Sequence, residues 1–226
     1  MIKYNFLFLL FSITFLCNAQ DRSYKLRFNL LYGENEIVQG KKIFLEKDYW
    51  ITFTKLKFYV GNPVCFEKGR VINNVQNRYD LVDFSDSTAL VVDFSLPSTT
   101  DSLCISIGTD SLTNVSGLYD GVLDPLNGMY WAWNSGYINV KIEGASSFVS
   151  NDDHKFEFHI GGYMSPYTTV RQICITPYSQ NIHLNIDVSK VVKSNLLVDT
   201  PLITIPGMNA SSFANAFKMS FFQIEQ

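Results

Sequence analysis

The chain has few histidines, no paired-cysteine motif and no cluster of basic residues, and each of these gaps excludes a class of function. Its 226 residues include three histidines and four cysteines, and the formal net charge at pH 7 is −3. Nucleic acid is not an expected partner, because its binding relies on clustered lysine and arginine. Without a Cys-x-x-Cys pair, zinc-ribbon and thioredoxin-like proteins are excluded. The common catalytic motifs are also missing, among them the Gly-x-Ser-x-Gly elbow, the His-Glu-x-x-His helix and the P-loop, so the sequence predicts no enzyme.

Only the N-terminus carries a long hydrophobic run, and its length distinguishes a signal peptide from a membrane anchor. Lys3 precedes an apolar stretch over residues 6–16, and small or polar residues follow up to Ala19. A membrane-spanning helix needs about 20 apolar residues, so this run is too short. The pattern predicts a signal peptide over residues 1–19, cleaved after Ala19. We therefore expect an exported protein, periplasmic or secreted, with no membrane span once the signal is removed.

Three cysteines remain after this cleavage, namely Cys65, Cys104 and Cys174. An odd number in an oxidising compartment allows at most one internal disulfide and leaves at least one thiol. Each of the three lies between apolar residues in a strand-like context. The pattern favours buried free cysteines, and the pairing stays open.

Alternation of apolar and polar residues predicts β-strands along most of the chain. Residues 24–30 alternate cleanly, as expected for a half-buried strand. Within residues 51–60 the apolar phase shifts near Thr54, which predicts a β-bulge. Helical periodicity is confined to residues 210–218 and to a turn around residues 188–196.

These patterns predict one all-β domain over residues 20–226, a single antiparallel β-sandwich with long loops and little helix. The longest connection, residues 108–127, has little strand character. Loops of that length inside a compact domain are uncommon and are often functional. This loop leads directly into the most unusual segment of the chain, residues 128–137, where four aromatic residues lie among small ones.

The chain resembles the MbnP-like domain family, which is named for a periplasmic protein encoded beside methanobactin biosynthesis. The most specific match is the aromatic block Met129-Tyr130-Trp131-Ala132-Trp133-Asn134-Ser135-Gly136-Tyr137. Further matching segments are residues 51–60, 79–83, 107–110 with Asn114, 124–127, 143–144 and 158–162. The resemblance therefore spans most of the mature chain.

This resemblance implies a β-sandwich that binds copper outside the cytoplasm. In characterised relatives a dihaem enzyme oxidises a tryptophan to kynurenine, and histidines hold copper together with that modified side chain. Imidazole is a suitable ligand for copper. The candidate metal ligands here are His159, His154, Trp131 and Trp133, with Trp50 as a third tryptophan that could be oxidised. The implied partners are a dihaem peroxidase-like maturation enzyme or an outer-membrane transporter.

One position departs from the copper-binding members of the family, because Val115 follows Asn114 where they carry a histidine. His159 lies opposite the apolar phase of its strand, and a hydrogen-bonded strand histidine is the alternative role for it. Trp131 and Trp133 share one phase if the segment is extended, which favours a core anchor over an oxidised side chain. We therefore predict an exported, non-enzymatic accessory protein that binds or traffics a metal, with copper as the predicted ion. The alternative is an exported partner-binding or structural module without a metal site.

Overall fold

Two β-sheets pack face to face and enclose the main hydrophobic core. The computed structural model describes residues 20–133 and 136–223. The predicted signal peptide, residues 1–19, lies outside these ranges, as do Asn134 and Ser135 of the aromatic block. Within the described ranges, no helix is long and apolar enough to cross a membrane.

Short strands dominate the element order. The strands are β1 (Asp21–Tyr32), β2 (Asn35–Glu36), β3 (Ile43–Phe44), β4 (Trp50–Glu67), β5 (Arg70–Asn74), β6 (Tyr79–Asp83), β7 (Val91–Pro97), β8 (Ser102–Ile107), β9 (Tyr130–Trp131), β10 (Gly136–Ser146), β11 (Lys155–Gly161), β12 (Arg171–Ile175), β13 (Asn181–Asp187), β14 (Leu202–Ile203) and β15 (Phe221–Gln223). The α-helices are α1 (Ser111–Val115), α2 (Ser194–Asp199) and α3 (Met208–Lys218), and 3₁₀ turns cover Glu46–Asp48, Gly121–Leu123, Pro125–Asn127 and Val188–Lys190.

The smaller sheet has the order β15-β13-β1-β2, and β7 also pairs with β1. β1 runs parallel to β13, with Phe28 opposite Leu184, and β14 runs parallel to β11. The prediction of an all-β fold with little helix is confirmed, but the prediction of a purely antiparallel sandwich is wrong for these two pairs. Alternating burial shows which side chains face the core, and carries no information on the direction of the neighbouring strand.

The larger sheet has the order β12-β8-β4-β10-β11-β14, and the long strand β4 also pairs with β3, β5 and β6. The bulge predicted near Thr54 is confirmed, because Glu143 of β10 lies opposite Lys55 whereas Gly144 lies opposite Phe53. One residue more on β4 than on β10 moves the inward phase from Phe53 to Leu56. The bulge therefore keeps both halves of this strand facing the core.

Aromatic side chains join the two sheets and α3. The ring of Phe28 on the smaller sheet meets that of Phe58 on the larger sheet at a centroid distance of 5.2 Å. On α3, the Phe217 ring lies 5.6 Å from that of Phe58, and the Phe213 ring lies 5.0 Å from that of Phe158. The helix predicted from periodicity is thus present, begins at Met208 and closes one side of the main core.

Two of the three cysteines form a disulfide. Cys104 of β8 and Cys174 of β12 lie directly opposite each other in the sheet and are bonded. Cys65 is a buried free thiol, and burial raises its pKa. One disulfide and one thiol agree with the limit set by three cysteines. The prediction of buried free cysteines is confirmed for Cys65 but wrong for Cys104 and Cys174, which are bonded, and Cys174 is exposed because Ile173 and Ile175 take the core-facing phase of β12.

Residues 108–133, which we call the cover, run across the opposite face of the larger sheet. Tyr59 of β4 alternates with core-facing Phe58 and Val60, so its ring points to this second face. There a separate apolar cluster forms, which we call the outer core: Tyr59, Tyr79, Leu123, Met129, Trp131, Tyr137 and Ile138. The larger sheet therefore has one core on each face, and the cover closes the second.

Candidate functional site

The two tryptophans of the aromatic block occupy different environments. Strand β9 pairs with β10, with Trp131 opposite Gly136, and it ends at Trp131. Trp131 is 5% exposed, whereas Trp133 is 64% exposed, although their ring centroids are 5.6 Å apart. The prediction that both tryptophans anchor the core is therefore confirmed for Trp131 and wrong for Trp133. The chain turns after Trp131, so the alternation of an extended strand does not continue to Trp133.

Trp131 packs tightly on the outer face of β11. A Cβ at Gly161 would lie 2.6 Å from Cζ3 of Trp131 and 2.5 Å from the carbonyl oxygen of Tyr137. Only glycine fits at that distance without movement of the ring or the backbone. His159 is two residues from Gly161 on the same strand, so it lies on the same face. The structure thus places Trp131 beside the His159 face of the sheet.

His159 is held by a carboxylate. Its Nε2 lies 2.9 Å from Oε1 of Glu143, and Lys55 and Lys141 approach the same carboxylate at 2.9 and 3.4 Å. Burial would raise the pKa of Glu143, but the hydrogen bonds from Lys55 and His159 outweigh it and the pKa is lowered. An ionised carboxylate only accepts hydrogen bonds, so Nε2 of His159 carries the hydrogen.

The same environment keeps His159 neutral. Burial lowers its pKa, and the hydrogen bond to Glu143 offsets only part of that effect. Lys141 acts in the same direction as burial, because its positive charge disfavours an imidazolium. A neutral ring with the hydrogen on Nε2 presents Nδ1 as its only lone-pair nitrogen. The arrangement corresponds to the hydrogen-bonded strand histidine considered from the sequence.

The other histidines lie elsewhere. His154 adopts a left-handed backbone conformation in the turn before β11, and its Nδ1 lies 2.7 Å from the carbonyl oxygen of Val149. Five residues separate it from His159, or roughly 16 Å along an extended chain. His183 lies on β13 of the smaller sheet, opposite Arg27. The structure therefore brings Trp131 and Trp133 to the face of His159 but leaves His154 at the far end of that strand.

The distance between His154 and His159 decides whether these residues could bind one copper ion. In the described part of the chain, no group of three or more His, Cys, Asp or Glu side chains could hold a metal. His159 and Glu143 supply two donors, and they are already bonded to each other. A copper site built on two histidines does not fit these residues.

Asn114 has a role that the sequence did not reveal. Its side-chain amide donates to the carbonyl oxygen of Asp110 at 2.8 Å and to Oγ1 of Thr109 at 3.0 Å. Its Oδ1 accepts from the backbone N–H of Tyr137 at 2.8 Å. Asn114 thus ties α1 to the aromatic block, while the next residue, Val115, is 63% exposed. An asparagine within a long loop gave no sequence signal for a contact with a residue 23 positions away.

Trp133 forms one wall of an apolar groove of about 510 Å³. Met164, Tyr167 and Ile205 line it as well, and all three are well exposed. Oγ of Ser111 donates to the carbonyl oxygen of Tyr163 at 3.4 Å, which joins the start of α1 to the loop that lines the groove. The groove and the outer surface of the cover are therefore neighbours.

Comparisons with known proteins agree with this architecture. The MbnP family matches residues 21–207. A solved structure, MbnP from Methylosinus trichosporium, is similar in fold, with a TM-score of 0.55 and 17% sequence identity over 76% of this chain and 78% of that one. None of the curated proteins matches. Since the family match covers most of the chain, this protein belongs to the MbnP family.

Proposed function

We propose that this protein is an exported, non-enzymatic accessory protein that binds a partner protein through the outer surface of the cover. The observation that carries the proposal is that the cover is apolar on both sides. Leu123, Met129 and Trp131 face inward and form part of the outer core. Large apolar side chains that face solvent instead are Leu112, Val115, Leu118, Tyr119, Val122, Leu126 and Trp133.

The exposed area is large for a protein without a partner. These side chains are 40–93% exposed, with Leu126 at the upper end. Seven such side chains within one segment are more than the singly scattered apolar residues that are normal on a monomer surface. Contiguous apolar patches above a few hundred Å² commonly mark interaction sites. The groove beside Trp133 extends this surface.

Two lysines of the larger sheet hold the cover in place. Nζ of Lys57 donates to the carbonyl oxygen of Asn127 at 3.4 Å, and Nζ of Lys141 donates to that of Gly128 at 3.0 Å. Asn114 anchors the same segment at its other end. A surface that is already ordered loses less conformational entropy on binding, which favours recognition by a partner.

The partners implied by the family resemblance are a dihaem peroxidase-like maturation enzyme or an outer-membrane transporter. Both act outside the cytoplasm, in agreement with the signal peptide predicted over residues 1–19. Neither requires this chain to have catalytic residues of its own. The proposal therefore accounts for the missing catalytic motifs and for the exposed apolar cover together.

Site-specific photo-crosslinking in the native host tests the proposal. p-Benzoylphenylalanine replaces Leu126 on the cover in one strain, and Val198 on α2 in a control strain. Val198 is exposed as well, at 57%, but lies outside the cover. We expect one discrete adduct from position 126 that mass spectrometry identifies, and none from position 198. Equal adducts from both positions, or none from position 126, would refute partner binding at the cover.

Copper trafficking is the second candidate function. Family membership supports it, as does the position of Trp131 on the same face as His159. The donor set opposes it, because His154 is remote and Glu143 occupies Nε2 of His159. When bound, copper would bring redox chemistry, and the residue of this chain available to bind it is His159 through Nδ1.

Protein isolated from the native host separates the two functions. Copper binding predicts one equivalent of metal that is lost in the His159→Ala variant, together with the mass change of a tryptophan that has lost a carbon. The His183→Ala variant, on the other sheet, is the matched control. Metal content at background with unmodified tryptophans would eliminate the copper function and leave partner binding unaffected.

A further inference from the structure

We infer that the partner of the cover presents apolar side chains bordered by lysine or arginine. This inference rests on the proposed function and specifies the chemistry of the partner. Residues 108–133 contain three aspartates, Asp110, Asp120 and Asp124, and no lysine, arginine or histidine. The cover thus combines exposed apolar side chains with charge of one sign, and complementary charge on the partner would direct its docking.

The two lysines that bond to the cover do not offset this charge. Nζ of Lys57 lies 2.7 Å from Oδ2 of Asp83, and Nζ of Lys141 lies 3.4 Å from Oε1 of Glu143. Both lysines lie beneath the cover, with side chains only 21% and 13% exposed. Asp83 and Glu143 of the larger sheet pair with these two lysines, so the lysines do not neutralise the aspartates on the outer surface of the cover.

Asp120 is the aspartate most available to a partner. Asp110 caps α1 by accepting from the backbone N–H of Thr113 at 2.8 Å, and Asp124 accepts from that of Leu126 at 2.8 Å. Asp120 precedes a 3₁₀ turn without capping it through its side chain, and the residue is exposed. Neutralising Asp120 therefore removes surface charge without removing a structural hydrogen bond.

The same charges argue against a second copy of this chain as the occupant. Two covers brought together would place aspartates against aspartates, with no basic side chain from either cover to pair with them. Like charges placed against each other across an interface are unfavourable and suppress that pairing. A partner of opposite charge meets no such penalty.

A pair of model peptides tests the inference on the full mature chain. One is an amphipathic helix of leucine and lysine, and the other replaces every lysine with glutamate. Fluorescence anisotropy measures the dissociation constant of each. We expect the lysine peptide to bind at least about tenfold more tightly than the glutamate peptide, and its affinity to fall as salt is raised.

Matched variants locate the binding. The Leu126→Ser variant should bind the lysine peptide about tenfold more weakly, since it loses the most exposed apolar side chain of the cover. The Asp120→Asn variant should bind roughly two- to fivefold more weakly, as expected for one exposed charge pair. Val198→Ser and Asp199→Asn on α2 are the controls, and both should bind as the unchanged protein does.

The outcomes separate this inference from the proposed function. Equal binding of both peptides, an unchanged affinity in Asp120→Asn, or self-association of the protein at the cover would each overturn the basic partner. If crosslinking from position 126 still captured a partner, partner binding at the cover would stand with a different chemistry. Absence of any adduct from position 126 would remove the proposed function itself.

Discussion

The two faces of the larger sheet carry cores of different composition. The main core is built mostly from aliphatic and phenylalanine side chains, such as Phe28 and Phe58, with Tyr24, Tyr32 and Cys65 among them. The outer core is rich in tyrosine and tryptophan. The hydroxyl of Tyr79 lies within 3.1 Å of Asn62 and Thr113. The first face is thus held mainly by apolar packing, while on the second face Tyr79 joins the packing to hydrogen bonds that position a loop.

This difference extends to the surfaces that the cores support. The main core is closed by regular strands and by α3, whose buried face contacts it. The outer core is closed by the cover, whose other side exposes Leu126 and Trp133. Loops held on a rigid scaffold are common positions for binding residues. The exposed apolar residues of the cover are therefore the basis for the binding surface that we propose on this outer face.

We expect the largest loss of stability from a substitution in the main core. Phe58→Ala removes a ring that contacts those of Phe28, Phe217 and Phe221. We expect the free energy of unfolding to fall by about 3–5 kcal/mol, as for other large-to-small changes of buried aromatics. Urea denaturation measures it. A loss under about 1 kcal/mol would show that the two sheets are not joined through this ring.

A smaller effect is expected in the outer core. Gly161→Ala forces the ring of Trp131 and the backbone at Tyr137 apart, because the new Cβ would lie within 2.6 Å of both. Such overpacking costs about 1–3 kcal/mol of unfolding free energy, and tryptophan fluorescence should change with it.

The double variant Gly161→Ala with Trp131→Leu is the control for that prediction. It should recover part of the lost stability, since the two changes act on one contact. Strict additivity of the two single variants would contradict direct packing of Trp131 on Gly161. The outer core would then not depend on the close approach of the Trp131 ring to the backbone of Gly161.

The smallest expected effect is on the pH dependence of stability. Since burial lowers the pKa of His159 below its usual value of 6.5, the unfolded chain takes up the proton first as pH falls. Stability contributed by the neutral ring is therefore present above pH 6.5 and is lost as the pH falls through that value toward the lower pKa of the folded state. Glu143, whose pKa is also lowered, acts in a separate window below 4.5.

The measurement is urea unfolding at a series of pH values from neutral to about pH 5. The His159→Gln variant keeps a polar side chain on the strand but cannot titrate, so its stability should vary less with pH over this range. A variant with the same pH dependence as the unchanged protein would show that His159 does not titrate differently on folding. Such a result would also contradict burial of the His159 ring beside Glu143 on the outer face.

Local patterns predicted several features correctly. The phase shift within residues 51–60 located the bulge at Thr54, and periodicity located α3 to within two residues of its start. Both depend on which side chains of one segment face the core, and alternation or helical spacing records that directly. The outward direction of His159 followed from the same rule.

Contacts between distant segments were not predictable in this way. Asn114 bonds to the backbone of Tyr137, 23 residues away, and β1 pairs with β13 across more than 150 residues. Trp133 is exposed because the strand ends at Trp131, which depends on the short pairing of β9 with β10. None of these contacts leaves a periodic trace in the local sequence.

The sequence alone determined the strand-rich class, the helix α3, the bulge and the family resemblance, because these depend on local periodicity and on rare residue types. Only the tertiary structure decided that His154 is remote from His159, that Glu143 engages His159, and that Trp131 is buried while Trp133 is exposed. It also revealed the cover as a layer with two apolar sides. The physical reason is that a site is defined by distances between segments far apart in the chain, and strand order and loop path set those distances.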